Sequence, residues 1–227
     1  PWMDFSLNNE RKSGVMSPAF GITERSGIDV TVPYYLSLAP NYDATLFPRL
    51  LTKRGLLLGV ESRFLLDNAH GVNSLEVLPN DRVAEDTRWS AALDNEYRLN
   101  ANTRAGMTVV RVSDNDYFRD LSNRIAITSL TNLNAEAWVV TQHENWDAEL
   151  RVQSFQTLQD STAEPITEPY ERMPFARLGI KQSLPSGIHF NMETQATRSA
   201  SPHPTLPDPT PAMTSSTRTM PRLPSSR

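Results

Sequence analysis

The chain of 227 residues has no cysteine and no long apolar run. Without cysteine it has no disulfide and no thiolate metal site of its own. Its longest apolar run is the five residues Leu56–Val60, far below the roughly 18 that a membrane helix needs. These absences exclude a disulfide-rich domain and a helical membrane protein. They leave a membrane barrel open, because a barrel strand needs only about ten residues of alternating polarity.

The chain also lacks an excess of basic residues and a leader sequence. Its net charge of −4 argues against a nucleic-acid partner. Residues 1–14 have neither the apolar core nor the small-residue cleavage site of a signal peptide. We therefore expect either a protein that stays inside the cell or an internal fragment. The start on Pro1 rather than on methionine favours the fragment.

Signatures of catalysis and of metal binding are missing as well. No phosphate-binding loop and no HExxH motif occurs. The acidic stretch with Asp114, Asp116 and Asp120 has neither the glycine nor the glutamate of an EF-hand loop, so we interpret it as a solvated loop. The sequence predicts no enzyme, no cofactor and no metal site. The histidines lie in separate segments without ligand spacing, namely His70, His143, His189 and His203.

What the sequence does contain is a repeated pattern of period two. Within Gly55–Leu66 one face carries the apolar residues from Leu56 to Leu66, while the other face carries Glu61 and Arg63. This spacing is that of a strand and not of a helix. The same alternation, with turn signals between the runs, predicts strands near residues 3–7, 14–22, 28–38, 43–51, 56–66, 72–78, 88–99, 104–113, 123–130, 134–142, 145–157, 176–183 and 187–194.

Two kinds of protein have long antiparallel strands with one apolar and one charged face. One is a soluble sheet packed on one side, and the other is a membrane barrel with lipid outside and water inside. Several predicted strands exceed the usual length of about five or six residues. Aromatic residues also fall near strand ends, as in interfacial girdles. We therefore favour the barrel over a soluble sheet or sandwich. These aromatic residues are Trp2, Tyr34, Tyr35, Tyr42, Trp89 and Trp146.

The composition changes at residue 196. Residues 196–227 contain seven of the 17 prolines and no aromatic residue. Such a segment has too little apolar surface to offset the entropy lost on ordering. We expect a disordered C-terminal tail, which is either natural or the product of a shifted reading frame.

The body of the chain carries a series of short motifs in a fixed order. They are Arg11–Gly14, Val32–Tyr35, Ala39–Leu46, Pro48–Arg49, Lys53–Leu56, Arg88–Trp89, Val112–Leu121 and Pro169–Pro174. The series resembles the start of the barrel domain in the LPS-assembly proteins of the LptD family, also called organic solvent tolerance proteins. The resemblance covers roughly residues 1–195.

The resemblance implies an all-β fold, an antiparallel meander that forms the first part of a very large outer-membrane β-barrel. In the family a periplasmic jellyroll precedes the barrel and receives lipopolysaccharide from a periplasmic Lpt bridge. The barrel passes the lipid to the outer leaflet, and the lipoprotein LptE plugs its lumen. Residues 1–12 are then the exit from the jellyroll, residues 13–195 a partial transmembrane barrel, and residues 196–227 the tail. The implied partners are lipopolysaccharide, LptE, the Lpt bridge and the outer membrane.

Pro18 and Pro33 are the main site candidates. Each interrupts a predicted strand, where a proline removes a ladder hydrogen bond. In the family, prolines matching these positions lie beside the seam between the first and last strands, which is expected to open sideways and release lipid. The alternative is that both are edge-strand prolines that only block aggregation.

Four basic residues are a second set of candidates. They have the chemistry to meet the phosphates of lipid A through charge-assisted hydrogen bonds, and the alternative is that they are solvated turn charges. This set consists of Arg11, Lys12, Lys53 and Arg54.

Three functions stay open at this point. The favoured one is assembly of lipopolysaccharide into the outer leaflet by lateral release from a barrel. A general diffusion porin would need the charged inner face to line an open pore. A soluble carbohydrate-binding β-sheet module would need the apolar faces to pack on each other.

Overall fold

The computed structural model describes residues 11–122, 132–159, 171–183, 189–200 and 216–222. These residues form strands and one short helix, α1, which spans Tyr117–Leu121. The strands are β1 Gly14–Val15, β2 Ala19–Thr23, β3 Gly27–Thr31, β4 Tyr34–Ala39, β5 Tyr42–Leu51, β6 Gly55–Leu66, β7 Ala69–Asp81, β8 Asp86–Arg98, β9 Thr103–Val112, β10 Asn132–Gln142, β11 Trp146–Thr157, β12 Glu171–Ser183, β13 His189–Ala200 and β14 Ser216–Arg222.

All strands belong to one antiparallel sheet in which chain neighbours are sheet neighbours from β4 to β14. The predicted all-β meander is therefore confirmed. Connections alternate between the two ends of the sheet because consecutive strands run in opposite directions. We call the end with the connections 24–26, 52–54, 82–85 and 113–131 the long-loop end, and the end with 40–41, 67–68, 99–102 and 143–145 the short-turn end.

The first four strands are two long strands that are each broken in the middle. β1 pairs with β4 and β2 pairs with β3, while β5 pairs along one edge with both β3 and β4. The period-two pattern predicted unbroken strands at 14–22 and 28–38, so the structure differs there. The breaks fall at residues 16–18 and 32–33, where prolines stop the ladder.

The two faces of the sheet have opposite character. We call the face on which α1 packs the inner face. Paired residues share a face, so the register assigns Leu58, Leu75 and Trp89 to the outer face, where they are 50%, 45% and 40% exposed. On the inner face, several charged residues are shielded from solvent: Asp29, Asp43 and Arg88 are buried. The outer face is therefore apolar and exposed, whereas the inner face carries buried charged residues.

The one cluster of buried apolar side chains among the described residues lies at the long-loop end. Tyr117 and Leu121 of α1 are 1% and 2% exposed. They belong to a cluster with residues at the ends of β5 to β7 and of β9, and with side chains near the ends of β10 and β11. Residues 113–122, the described part of the connection after β9, thus fold over the sheet instead of projecting from it. The other members of the cluster are Leu51, Leu57, Leu78, Val112, Leu133 and Leu158.

Some other predictions differ from the structure, and some fall on residues that the structure does not describe. The predicted connection 79–87 shrinks to 82–85, because β7 and β8 extend on both sides of it. Within the expected tail, β13 continues to Ala200 and β14 pairs with it. Residues 1–10, the predicted strand 123–130, and residues 201–215 and 223–227 lie outside the described part. No helix among the described residues is long and apolar enough to cross a membrane.

Candidate functional site

Three prolines lie at the level of the two strand breaks, on neighbouring strands. The N–H of Met16 donates to the carbonyl of Pro33 at 2.8 Å, and the N–H of Val32 donates to the carbonyl of Pro48 at 3.2 Å. Neither proline can return a bond, because proline has no N–H. Each of these two contacts therefore has one hydrogen bond where an antiparallel pair of other residues would form two.

The first break also contains an extra residue. Val15 pairs with Tyr34 and Ala19 pairs with Thr31, so three residues of the first strand oppose two residues of the second. This is the arrangement of a β-bulge, which disrupts the ladder and bends the strand. Pro18 is exposed within the bulge and Pro33 is half-buried opposite it. The structure thus brings the two predicted prolines together at the weakest point of the first strand pair.

The four candidate cations are not brought together. Arg11 and Lys12 precede β1 at the short-turn end, whereas Lys53 and Arg54 lie in the turn after β5 at the long-loop end. Lys12 and Lys53 are exposed, and Lys53 Nζ donates to the carbonyl of Glu24 at 2.7 Å. Arg11 is 62% exposed and lies 3.4 Å from Asp43.

Arg54 differs from the other three because it is buried. Its guanidinium contacts Asp81 at 2.6 Å and Asp120 at 3.1 Å, and its Nε donates to the carbonyl of Arg25 at 3.1 Å. Its side chain is 3% exposed. The sequence predicted either a phosphate contact or a solvated turn charge here. The structure differs from a solvated turn charge, because burial and the aspartate partners make Arg54 part of an internal ion network.

Arg88 is the second cation of this network. It donates to Asp114 from Nε and Nη2 at 2.9 and 2.6 Å, and its Nη1 lies 3.0 Å from Asp120 and 3.3 Å from Asp81. Its guanidinium also lies 5.6 Å from the ring centre of Tyr117, a cation–π distance. Two buried arginines therefore join three aspartates from β7 and from the connection after β9.

The titrating groups of this connection are perturbed by their surroundings. Burial alone would raise the pKa of the Asp114 carboxyl, but the hydrogen bonds and charge of Arg88 outweigh it and hold that pKa below its ordinary value. Burial and the negative charge of Glu76 raise the pKa of Tyr117, whose hydroxyl lies 2.9 Å from the Glu76 carboxylate. Asp114 is thus held charged and Tyr117 neutral.

The sequence did not reveal this inward-folded segment, which we call the inner loop (residues 113–122). Its aspartates predicted a solvated loop, and the structure corrects this because Asp114 and Asp120 are paired with Arg88. The available signal was Tyr117 and Leu121, which are spaced by four residues and so share one face of a helical turn.

The rest of the inner face is a polar wall with open hollows. Arg63 binds Asp43 through two hydrogen bonds of 2.8 and 3.1 Å, and such cross-strand pairs recur along the sheet. An open hollow of about 560 Å³ lies between the inner loop and the wall, beside Thr31 and Phe47 of the broken strand region. No cluster of ligands for a metal ion occurs among the described residues.

Comparison with known proteins identifies the family. The family model of LPS transport system D, LptD, matches residues 86–221, which is more than half of the chain. The chain belongs to this family. The LptD match also extends beyond residue 196, into the region where the sequence predicts a disordered or frame-shifted tail.

Individual LptD proteins are similar over nearly the whole chain. The LPS-assembly protein LptD of Thiobacillus denitrificans is 61% identical over 97% of the chain. Those of Ralstonia nicotianae and of Azoarcus sp. are 43% and 38% identical over 89% and 92% of it. The chain spans only 30%, 25% and 26% of the length of these three relatives.

Proposed function

We propose that this chain is the first part of an outer-membrane barrel that assembles lipopolysaccharide into the outer leaflet, releasing the lipid sideways at the seam between its first and last strands, beside the proline-broken first strand pair. The observation that carries the proposal is the pair of opposed strand breaks at Pro18 and Pro33. Relatives named LPS-assembly protein over most of the chain support the same substrate.

The inverted polarity of the sheet supports a location in the bacterial outer membrane. Lipid solvates an apolar outer face, whereas the charged inner face needs water or a polar plug. The soluble alternative required apolar faces that pack on one another, and in the described part of the chain those faces are exposed. Residues 13–195 are thus proposed as barrel wall, and residues 1–12 as the exit from a jellyroll.

The proline breaks lower the free energy needed to separate the first two strands. A backbone hydrogen bond contributes about 0.5–1.5 kcal/mol net, and bonds to the Pro33 nitrogen are impossible. The bulge at residues 16–18 removes further pairing. Opening the sheet at this strand pair therefore costs less than opening it at β6 and β7, which pair without interruption.

The proposed partners follow from the same mechanism. Lipopolysaccharide is the cargo, the lipoprotein LptE fills the polar lumen, and the periplasmic Lpt bridge supplies the lipid through the jellyroll. Lys12 and Lys53 are exposed cations at opposite ends of the sheet and are proposed as contacts for lipid A phosphates. Arg11 keeps this proposed role through its exposed guanidinium, whereas Arg54 does not. The reaction is transport, without catalysis and without a cofactor.

The test replaces both prolines in the full-length protein. In Pro18→Ala/Pro33→Ala the restored N–H groups strengthen the first strand pair, so we expect surface lipopolysaccharide to fall several-fold. The amount of the barrel protein and the heat-dependent shift of its mobility in gel electrophoresis, which reports folding, should stay normal. Pro48→Ala is the matched control, because it restores an N–H towards Val32 in the neighbouring pair and leaves the first pair unchanged.

Normal surface lipopolysaccharide in a correctly folded double variant would overturn the gate. A general porin is the second candidate, favoured by the charged inner wall. It predicts steady ion conductance through the reconstituted barrel that the proline substitutions leave unchanged.

A further inference from the structure

The tip of the first hairpin, the turn between β2 and β3, is tied to a segment more than ninety residues away. Arg25 Nη1 donates to the carbonyl of Arg119 at 2.6 Å, and Ser26 Oγ donates to the carbonyl of Asp120 at 3.2 Å. Both acceptors lie in the last turn of α1, where helix carbonyls lack partners within the helix. Side-chain donors of the hairpin supply those partners.

β5 supplies a third side-chain hydrogen bond to a carbonyl of α1, on the long-loop side of the strand break. Arg49 Nη1 donates to the carbonyl of Leu121 at 2.6 Å. The same guanidinium binds Asp29 of β3 through Nε and Nη2 at 2.9 and 2.6 Å. Arg49 thus joins the end of α1 to β3, which is the half of the second broken strand nearer the long-loop end.

The inner loop is itself anchored to the middle of the sheet. Asp120 and Asp114 are held by Arg54 and Arg88, and Tyr117 is buried against the wall with its hydroxyl on Glu76 of β7. The hairpin tip is therefore connected, through the inner loop, to β7 and β8 and not only to its own strand neighbours.

The two halves of the broken strand pair are held unequally. Towards the long-loop end, β2 and β3 pair along five residues and carry the ties to α1. Towards the short-turn end, β1 contributes only Gly14 and Val15 to its pairing with β4. Between them lies the bulge with Pro18.

We propose that the inner loop is a strap that holds the tip of the first hairpin against the barrel wall. Arg25 and Ser26 are its positioning residues, and opening of the proline-broken strand pair is confined to the short-turn half. The link to lipid release rests on the function proposed above, whereas the mechanical tie can be measured independently of it.

The test compares hydrogen–deuterium exchange of full-length variants in detergent. Arg25→Ala/Ser26→Ala removes both side-chain donors of the hairpin tip to α1 and leaves Arg49, Arg54 and Arg88 in place. We expect at least tenfold faster exchange at residues 19–31 and no more than twofold change in β6 to β8. Lys53→Ala is the matched control, because it removes a hydrogen bond to Glu24 in the turn that also contains Arg25 and Ser26, but no hydrogen bond to α1. Its exchange at 19–31 should stay within twofold of wild type. Arg25→Lys/Ser26→Thr keeps both donors and should restore most of the protection.

The outcomes separate the strap from the gate. Unchanged exchange at residues 19–31 in Arg25→Ala/Ser26→Ala would overturn the strap, even if the proline variants reduce surface lipopolysaccharide. Faster exchange without rescue by the conservative pair would overturn the positioning role as well. Faster exchange with rescue supports the strap, and it does so even if the proline variants leave lipid delivery normal and the gate proposal fails.

Discussion

At the scale of single residues, Arg88 of β8 is the cation that contacts both Asp114 and Asp120 of the inner loop. Its side chain is 3% exposed and faces Asp81, Asp114 and Asp120. Burying an ion pair yields little net stability, but removing one partner leaves the other charge buried without compensation. The asymmetry makes this arginine a sensitive probe of whether the loop is folded inward.

We expect Arg88→Met to release the inner loop. The substitution keeps much of the side-chain volume but removes the arginine partner of Asp114 and one of the two arginines that contact Asp81 and Asp120. Removing one partner of a buried ion pair costs about 3–5 kcal/mol. Limited proteolysis of the full-length protein should then cut within residues 113–122. Arg104→Ala is the control, because its pair with Glu96 is about half exposed and contributes only about 0–1 kcal/mol. Equal resistance of Arg88→Met and wild type would contradict the buried network.

The lowered pKa of Asp114 sets the pH below which the inner loop loses the stability that this carboxylate contributes. Its carboxyl titrates near pH 3.9 when unfolded and lower when folded, so its contribution is complete above the unfolded value and is lost as the pH falls through the folded value. We expect exchange protection at residues 113–122, corrected for intrinsic rates, to be equal at pH 7 and pH 5 and to fall below about pH 4. Protection at residues 103–109 serves as the internal control. A loss between pH 7 and pH 5 would contradict the pairing of Asp114 with Arg88.

At the scale of elements, periodicity located most strands but not the breaks within them. The alternation of apolar and polar residues runs without interruption through Ile28–Leu38, since Val32 and Pro33 keep the pattern. Only the missing N–H of proline ends the ladder, and hydrophobic patterning does not detect a hydrogen bond. The prolines themselves were recognisable as candidates, and their opposition across two strands became visible only with the register.

The inner loop escaped prediction for a different reason. A segment with three aspartates within seven residues has the composition of a solvated turn. Its inward position depends on Arg54 in the turn after β5 and on Arg88 in β8, both more than twenty residues earlier in the chain. Such non-local compensation leaves no trace in the local sequence. The same reason explains why Arg54 was expected at the surface.

At the scale of the whole molecule, the distribution of polarity is the reverse of a soluble fold. Large apolar side chains cover the outer face while aspartates and arginines fill the inner one. In water such a sheet would expose more apolar surface than monomeric proteins do. In a bilayer the same surface is solvated by lipid, and the ladder satisfies the backbone within the sheet.

This reversal predicts opposite responses to the same substitution on the two faces. Leu75 lies on the outer face in the middle of β7, whereas Thr108 lies on the inner face of β9. An arginine at mid-depth on the lipid side of a barrel costs about 2–4 kcal/mol, while lumen positions tolerate charge. We therefore expect Leu75→Arg to lower the unfolding free energy of the full-length protein in lipid by that amount, and Thr108→Arg to change it by less than about 1 kcal/mol. Urea unfolding in vesicles measures both values. The reverse order would mean that the apolar face is packed against protein, and a soluble or differently assembled sheet would then replace the barrel wall.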